Sequence, residues 1–214
     1  LPVLEASSGL TAGEEFAVAH APERLSPSAD GQTVYPETRL VGATAPRVAE
    51  DVAARMAASA ESIRVVDSLR VAEAAKCVEN VQRDVNIALV NELTRILGAI
   101  GVDPRSVLDA AGTKWNFHRY EPGLVGGECV PVASRLLATS AERTGHTPRL
   151  VELARSVNER LVDRVVETTV AALDSRAARR RDSEPESPPG RADVIVLGLA
   201  YKPDSDSLAA SPSR

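Results

Sequence analysis

Aromatic residues are nearly absent: one Trp, three Tyr and two Phe make up 3% of the 214 residues. Any core must therefore be assembled mainly from Ala, Val and Leu. Cysteine is equally scarce, with only Cys77 and Cys129. Two thiols exclude a disulfide framework and a cysteine-based zinc site, and they fit a reducing, cytoplasmic setting. His20, His118 and His146 show no metal-ligand spacing, so no metal is expected. No apolar run approaches the roughly 18 residues of a membrane helix, and residues 1–13 mix Pro, Glu, Ser and Gly unlike a signal peptide. Methionine occurs once, as Met56, and the chain begins at Leu1, which points to a start inside a longer reading frame. A net charge of −5 argues against nucleic acid or an anionic membrane as partner. A small anionic ligand needs only a local cationic pocket. Lysine appears three times, as Lys76, Lys114 and Lys202, so each copy merits attention.

What is present begins with alternation. Residues 16–19, 39–43 and 63–66 read as strands, with a loop at Ala21-Pro22-Glu23-Arg24 and a helix over 46–58. That alternation resembles the last units of an α/β sheet. Residues 68–100 then contain no Pro and no Gly before Gly98. Val71, Ala75, Val78, Val85, Leu89, Leu93, Ile96 and Ile100 recur at helical spacing. Ser68 can cap the start, and Gly98 with Gly101 marks the end. At 1.5 Å per residue the helix is about 45 Å long, more than a small domain covers, so it connects domains or lies in a subunit interface.

Asp103-Pro104 opens a short helix ending near Gly112, and residues 113–131 are irregular. Residues 131–143 read as a helix closed by Gly145, and Thr147-Pro148 begins another that runs to about Ala178. Residues 179–191 are charged and Pro-rich, as linkers are. Residues 193–199 form an apolar run, Val194-Ile195-Val196-Leu197 followed by Gly198, that reads as a buried strand.

Two features carry chemistry. Lys76 and Asn80 share a face of the long helix, Arg83 lies within about 20° of Lys76, and Asn91 and Glu73 lie near the same stripe. A stripe of this kind is either a solvated helix face or a site for an oxyanion or phosphate. The scarcity of lysine and the apolar neighbouring faces favour the second reading. The run Gly123-Leu124-Val125-Gly126-Gly127-Glu128-Cys129-Val130-Pro131 permits close approach of a ligand to the backbone. It also puts a thiol at the start of a helix, where the dipole favours a thiolate. Cys129 is a candidate nucleophile there, the alternative being a small apolar residue, as Cys77 is within its helix.

The run Ala72-Glu73-Ala74-Ala75-Lys76-Cys77-Val78-Glu79-Asn80, continuing Arg83-Asp84-Val85-Asn86-Ile87-Ala88-Leu89-Val90-Asn91-Glu92-Leu93, resembles the central helix of the UDP-glucose/GDP-mannose dehydrogenase family. Gly112-Thr113-Lys114-Trp115-Asn116-Phe117 and Pro122-Gly123-Leu124-Val125-Gly126-Gly127-x-Cys129 are similar to its UDP-N-acetylhexosamine 6-dehydrogenase branch. Ala21-Pro22-Glu23-Arg24 and Gly198-Leu199-Ala200-Tyr201-Lys202-Pro203-Asp204 match two further family motifs. The resemblance implies oxidation of a sugar C6 alcohol to a carboxylate with two NAD, through an aldehyde, a cysteine thiohemiacetal and a thioester cleaved by water. It assigns Cys129 as nucleophile, Lys76 as stabiliser of the oxyanion, Asn80 as its helper and Glu23 as activator of water. Arg24, Arg83, Gly123 and Lys202 would contact the UDP-sugar, and the central helix would form a homodimer.

The implied fold is α/β with a large helical middle. Residues 1–67 would be the tail of a Rossmann-like NAD-binding domain, and residues 68–178 a helical dimerisation domain with the cysteine loop. Residues 179–191 would be a linker, and 192–214 the first strand of a second, truncated Rossmann-like domain. The chain departs from the family in four places. No G-x-G-x-x-G run is present to seat NAD. Glu128 replaces the His before the cysteine, and its charge opposes a neighbouring thiolate. Ala133 stands where the family has a catalytic Asp, and Ala209-Ala210 where it has an Arg. These departures lead to the expectation of an inactive fragment. The alternatives are a remnant that pairs with an intact homologue through the central helix, and a free-standing UDP-sugar binder. Either fragment reading expects exposed apolar edges.

Overall fold

The computed structural model describes residues 1–24, 26–27, 33–34, 38–183, 193–200, 208 and 211–212. It divides into two compact units, residues 1–80 and 81–214.

The first unit begins with α1 (Pro2–Ser8), which Gly9 ends in a left-handed turn at φ 72°. The short strands β1 (Ala19–His20), β2 (Ser26–Pro27) and β3 (Thr33–Val34) follow. Then come β4 (Thr38–Ala43), α2 (Pro46–Met56), a single 3₁₀ turn (Ala57–Ser59) and β5 (Ser62–Val65). β4 is the middle of a three-stranded sheet ordered β1-β4-β5. It runs antiparallel to β1, with Ala19 opposite Ala43, and parallel to β5, with Leu40 opposite Arg64. β2 and β3 form a separate antiparallel pair.

Parallel pairing requires a crossover, and α2 supplies it. Pro46 starts α2 at a position where no backbone N–H is needed. Ala49 turns onto the sheet to join Val41 and Ala43 in the core, with Val48, Val52, Met56 and Ile63 packed around them. The expected strand over 16–19 is displaced: pairing with β4 begins at Ala19, while Phe16 makes only an isolated bridge to Ala12.

α3 (Leu69–Ala99) is the long central helix, and the division between the units falls within it. The Ser68 hydroxyl accepts the Val71 N–H at 3.3 Å, which satisfies one of the otherwise orphaned donors of the first turn. At the far end the Gly101 N–H donates to the Gly98 carbonyl at 3.1 Å and Val102 to Leu97 at 3.0 Å. Gly101 sits at φ 77°, as such a helix stop requires.

In the second unit Asp103 caps α4 (Pro104–Ala111), its carboxylate accepting the Ser106 N–H at 3.0 Å. α5 (Cys129–Glu142) begins two residues before the expected start at Pro131. Proline is tolerated in a first turn because its missing N–H has no intrahelical partner there, so Pro131 does not set the boundary. α6 (Arg149–Ser183) runs beyond the expected end near Ala178. Residues 179–183 are Arg, Asp and Ser with no proline, and the first proline after them is Pro185.

Residues 193–199, expected as a buried strand, have no regular structure. Val194, Ile195, Val196 and Leu197 are 54–89% exposed. A strand exists only through its ladder, and among the described residues no strand is laddered to this run.

Candidate functional site

Glu23, Arg24, Lys76 and Asn80 fall in the first unit; Arg83, Gly123 and Cys129 fall in the second. Lys202, together with Ala209 and Ala210, lies outside the described residues.

In the first unit the Ala21-Pro22-Glu23-Arg24 loop leaves β1 and is tied down by both of its charged residues. Arg24 donates to the carbonyl of Thr38 at 2.5 Å and pairs with Glu79 on α3 at 2.8 Å. This pairing sets the loop beside the turn of α3 that carries Lys76 and Asn80. Glu23 accepts from Arg39 at 2.9 Å, and Arg39 also donates to Ser59 at 3.0 Å. The two loop residues of the family motif are thus engaged by Glu79 and Arg39. Asn80 is buried at 8% exposure and Lys76 is half-buried. Among the described residues, no hydrogen bond or ion pair is made by the Lys76 ammonium. A half-buried cation beside a buried amide has the chemistry to receive a developing negative charge.

In the second unit Cys129 is exposed and is the first residue of α5. Gly127, at φ 81°, makes the turn that leads into it, and Glu128 occupies the N-cap position with no side-chain capping bond. A β-carbon added at Gly123 would meet open space, so this part of the backbone is accessible to a ligand. Arg83 is exposed.

Beneath the thiol loop lies a buried polar network that the sequence reading missed. Asp84 on α3 is 1% exposed and accepts from Ser134 at 2.7 Å, Arg155 at 3.0 Å and Asn158 at 2.7 Å. Asn158 bonds on to Asn91 at 3.1 Å. Asn91 makes two bonds with the backbone of Gly123, accepting its N–H at 2.8 Å and donating to its carbonyl at 3.0 Å. At the solvent edge Glu159 accepts from Arg135 at 2.8 Å and Arg155 at 3.1 Å. These bonds hold its carboxyl below the usual range, Arg135 contributing most. A signal was available: Asp84 and Asn91 are seven residues apart on one face of α3, with the small apolar Ala88 between them, and Arg155 and Asn158 are three apart on another helix. Ala133, where the resemblance leads one to expect an Asp, is buried at 7% exposure beside Ser134.

An open groove of about 1560 Å³ lies in the second unit between α3 and α6, lined in part by Asn91, Gly123, Leu153, Val157, Leu161 and Ile195. Among the described residues no three His, Cys, Asp or Glu side chains converge to hold a metal ion. None of the described helices is long and apolar enough to cross a membrane.

Residues 70–160 match the central domain of the UDP-glucose/GDP-mannose dehydrogenase family. The chain is 37% identical over 210 residues to UDP-N-acetyl-D-glucosamine 6-dehydrogenase of Pseudomonas aeruginosa, a match covering 97% of this chain and 47% of that protein. It is 36% identical over 209 residues to Protein CapL of Staphylococcus aureus, with the same coverage on both sides. Among solved structures it resembles UDP-D-ManNAc dehydrogenase from Pyrococcus horikoshii, with a TM-score of 0.76, 32% identity, and coverage of 99% of this chain and 48% of that one. The chain spans about half the length of the curated relatives it matches.

Proposed function

The chain belongs to the UDP-glucose/GDP-mannose dehydrogenase family, and from that membership we propose that it carries the catalytic thiol and helix of a nucleotide-sugar 6-dehydrogenase. The substrate class is a UDP-linked N-acetylhexosamine, and the reaction converts its C6 alcohol to a carboxylate. The observation that carries this reading is Cys129, exposed as the first residue of α5 at the end of a glycine loop. Cys129 adds to the C6 aldehyde to form a thiohemiacetal; NAD would take up the hydride released at each oxidation, from alcohol to aldehyde and from thiohemiacetal to thioester, and water would then cleave the thioester to carboxylate and free thiol. Lys76 stabilises the developing oxyanion with help from Asn80, while Glu23 orients the hydrolytic water through a carboxylate already fixed by Arg39. Arg24, Arg83, Gly123 and Lys202 bind the nucleotide-sugar.

NAD is the hydride acceptor that family membership implies. This chain's residues do not fit it: no G-x-G-x-x-G run offers a cradle for the pyrophosphate. The chain alone is expected not to turn over.

The test is protection of the thiol. A C6-aldehyde of UDP-N-acetylglucosamine should slow iodoacetamide labelling of Cys129 while leaving Cys77 unchanged, read by peptide mass spectrometry. Equal labelling of Cys129 with and without the aldehyde at millimolar concentration would remove the covalent role from this chain.

A second reading draws on the apolar residues left exposed on α3, among them Leu89, Leu93 and Ile96 at 37–53%. In this reading the chain pairs through α3 with another copy or an intact homologue. Sedimentation of the chain as a monomer at micromolar concentration, alone and mixed with an intact homologue, would exclude it.

A further inference from the structure

We propose that Asn91, Asn158 and Asp84 form a clamp that holds the Cys129 loop at both ends, with Asn91 as a positioning residue for the thiol; its relevance to catalysis rests on the reading of Cys129 as nucleophile. Gly123 opens the loop and Ser134 lies five residues beyond Cys129 on α5. Both lead to one carboxylate: Ser134 donates to Asp84 directly, and Gly123 connects through Asn91 and Asn158.

The order of donors and acceptors along this chain follows from Asp84. A carboxylate only accepts, so Asn158 must turn its amide nitrogen toward it, at 2.7 Å from the carboxylate and 3.0 Å from the Asp84 carbonyl. That leaves the Asn158 carbonyl oxygen facing Asn91, which must present its own nitrogen there, at 3.1 Å. The second hydrogen of that nitrogen goes to the Gly123 carbonyl at 3.0 Å, and the remaining oxygen accepts the Gly123 N–H at 2.8 Å. Asn91 is thus fully used, and only an amide has the two donors and one acceptor this position needs. Arg155 supplies the positive charge that lets the carboxylate stay buried, at 3.0 Å. With Asp84 and Asn158 at 1% and 2% exposure, water does not substitute for a missing partner.

Asn91→Asp keeps the shape and one acceptor but sets an oxygen against both the Gly123 carbonyl and the Asn158 oxygen. A filler of space would tolerate that change; a clamp would not.

The experiment is amide hydrogen exchange on the 214-residue chain, comparing Asn91→Asp and Asn91→Ala with the parent. Exchange over residues 123–134 should rise about ten-fold or more in both variants, the loss of one or more net hydrogen bonds, while residues 104–111 of α4 stay unchanged. Where Asn91→Ala fails to fold, Ser134→Ala takes its place and should speed exchange over 129–134. Parent-like exchange in Asn91→Asp, or a rise shared equally by residues 104–111, overturns the clamp. This readout needs no turnover. If exchange responds but the aldehyde does not protect Cys129, the clamp stands and the thiol's catalytic role falls.

Discussion

A β-carbon on Gly42 would collide with the carbonyl oxygen of Ser68 and come within 3.0 Å of the Ala72 side chain. The absence of a side chain on β4 is what lets the start of α3 lie against it. The obstructing atom is backbone, so it cannot swing aside. Gly42→Ala should therefore cost about 3 kcal/mol of stability, measured by urea unfolding. A loss under about 0.5 kcal/mol would mean that the entry of α3 yields freely.

The ion pairs at Glu159 give a pH dependence of definite sign. Its folded carboxyl titrates below the ordinary value of 4.5, held down first by Arg135 and then by Arg155. Such a group contributes stability that is complete above its unfolded value and is lost as pH falls through the folded one. The difference in melting temperature between the parent and Glu159→Gln should be present at pH 7 and shrink below pH 4.5. Because Glu159 is largely exposed, added salt should reduce the difference. A difference that is constant from pH 7 to pH 3 would contradict the ion-pair origin.

The two thiols should react at different rates. Cys129 is exposed at a helix N-terminus, whereas Cys77 is half-buried within α3. Iodoacetamide should label Cys129 about ten-fold faster in the folded chain, and the two rates should converge in urea. Equal rates without denaturant would place Cys77 in a looser setting than its helix provides.

Introducing an Asp at position 133 should not be neutral. Ala133 is 7% exposed, directly before the fully buried Ser134. A carboxylate placed there without a partner should cost about 2 kcal/mol, read as a lowered unfolding midpoint. A stable Ala133→Asp variant would indicate that a polar partner is already waiting at that site.

Much of this was legible beforehand. The long helix followed from uninterrupted periodicity over residues 68–100 and from the glycines that end it, and the helix expected over 46–58 is α2, which ends at Met56. The thiol loop was marked by Gly126-Gly127 before a cysteine. The strand expected over 193–199 shows the other side. Apolar content alone suggested it, but hydrogen bonds to a neighbouring strand make a strand, and a linear pattern does not say whether one is present.

The sequence by itself determined the elements whose cause is local: helix starts at Ser68 and Asp103, the stop at Gly101, and the motifs that place the chain in its family. Only the tertiary structure decided which polar residues became structural. Asp84 reads as one more helix charge until α5 and α6 close over it with Ser134, Arg155 and Asn158. Likewise Asn91 reads as a helix polar residue until Gly123 meets it from 32 positions away. The reason is physical. Periodicity records which face of a helix is buried, whereas hydrogen-bond partnership depends on distances between elements that no local pattern encodes.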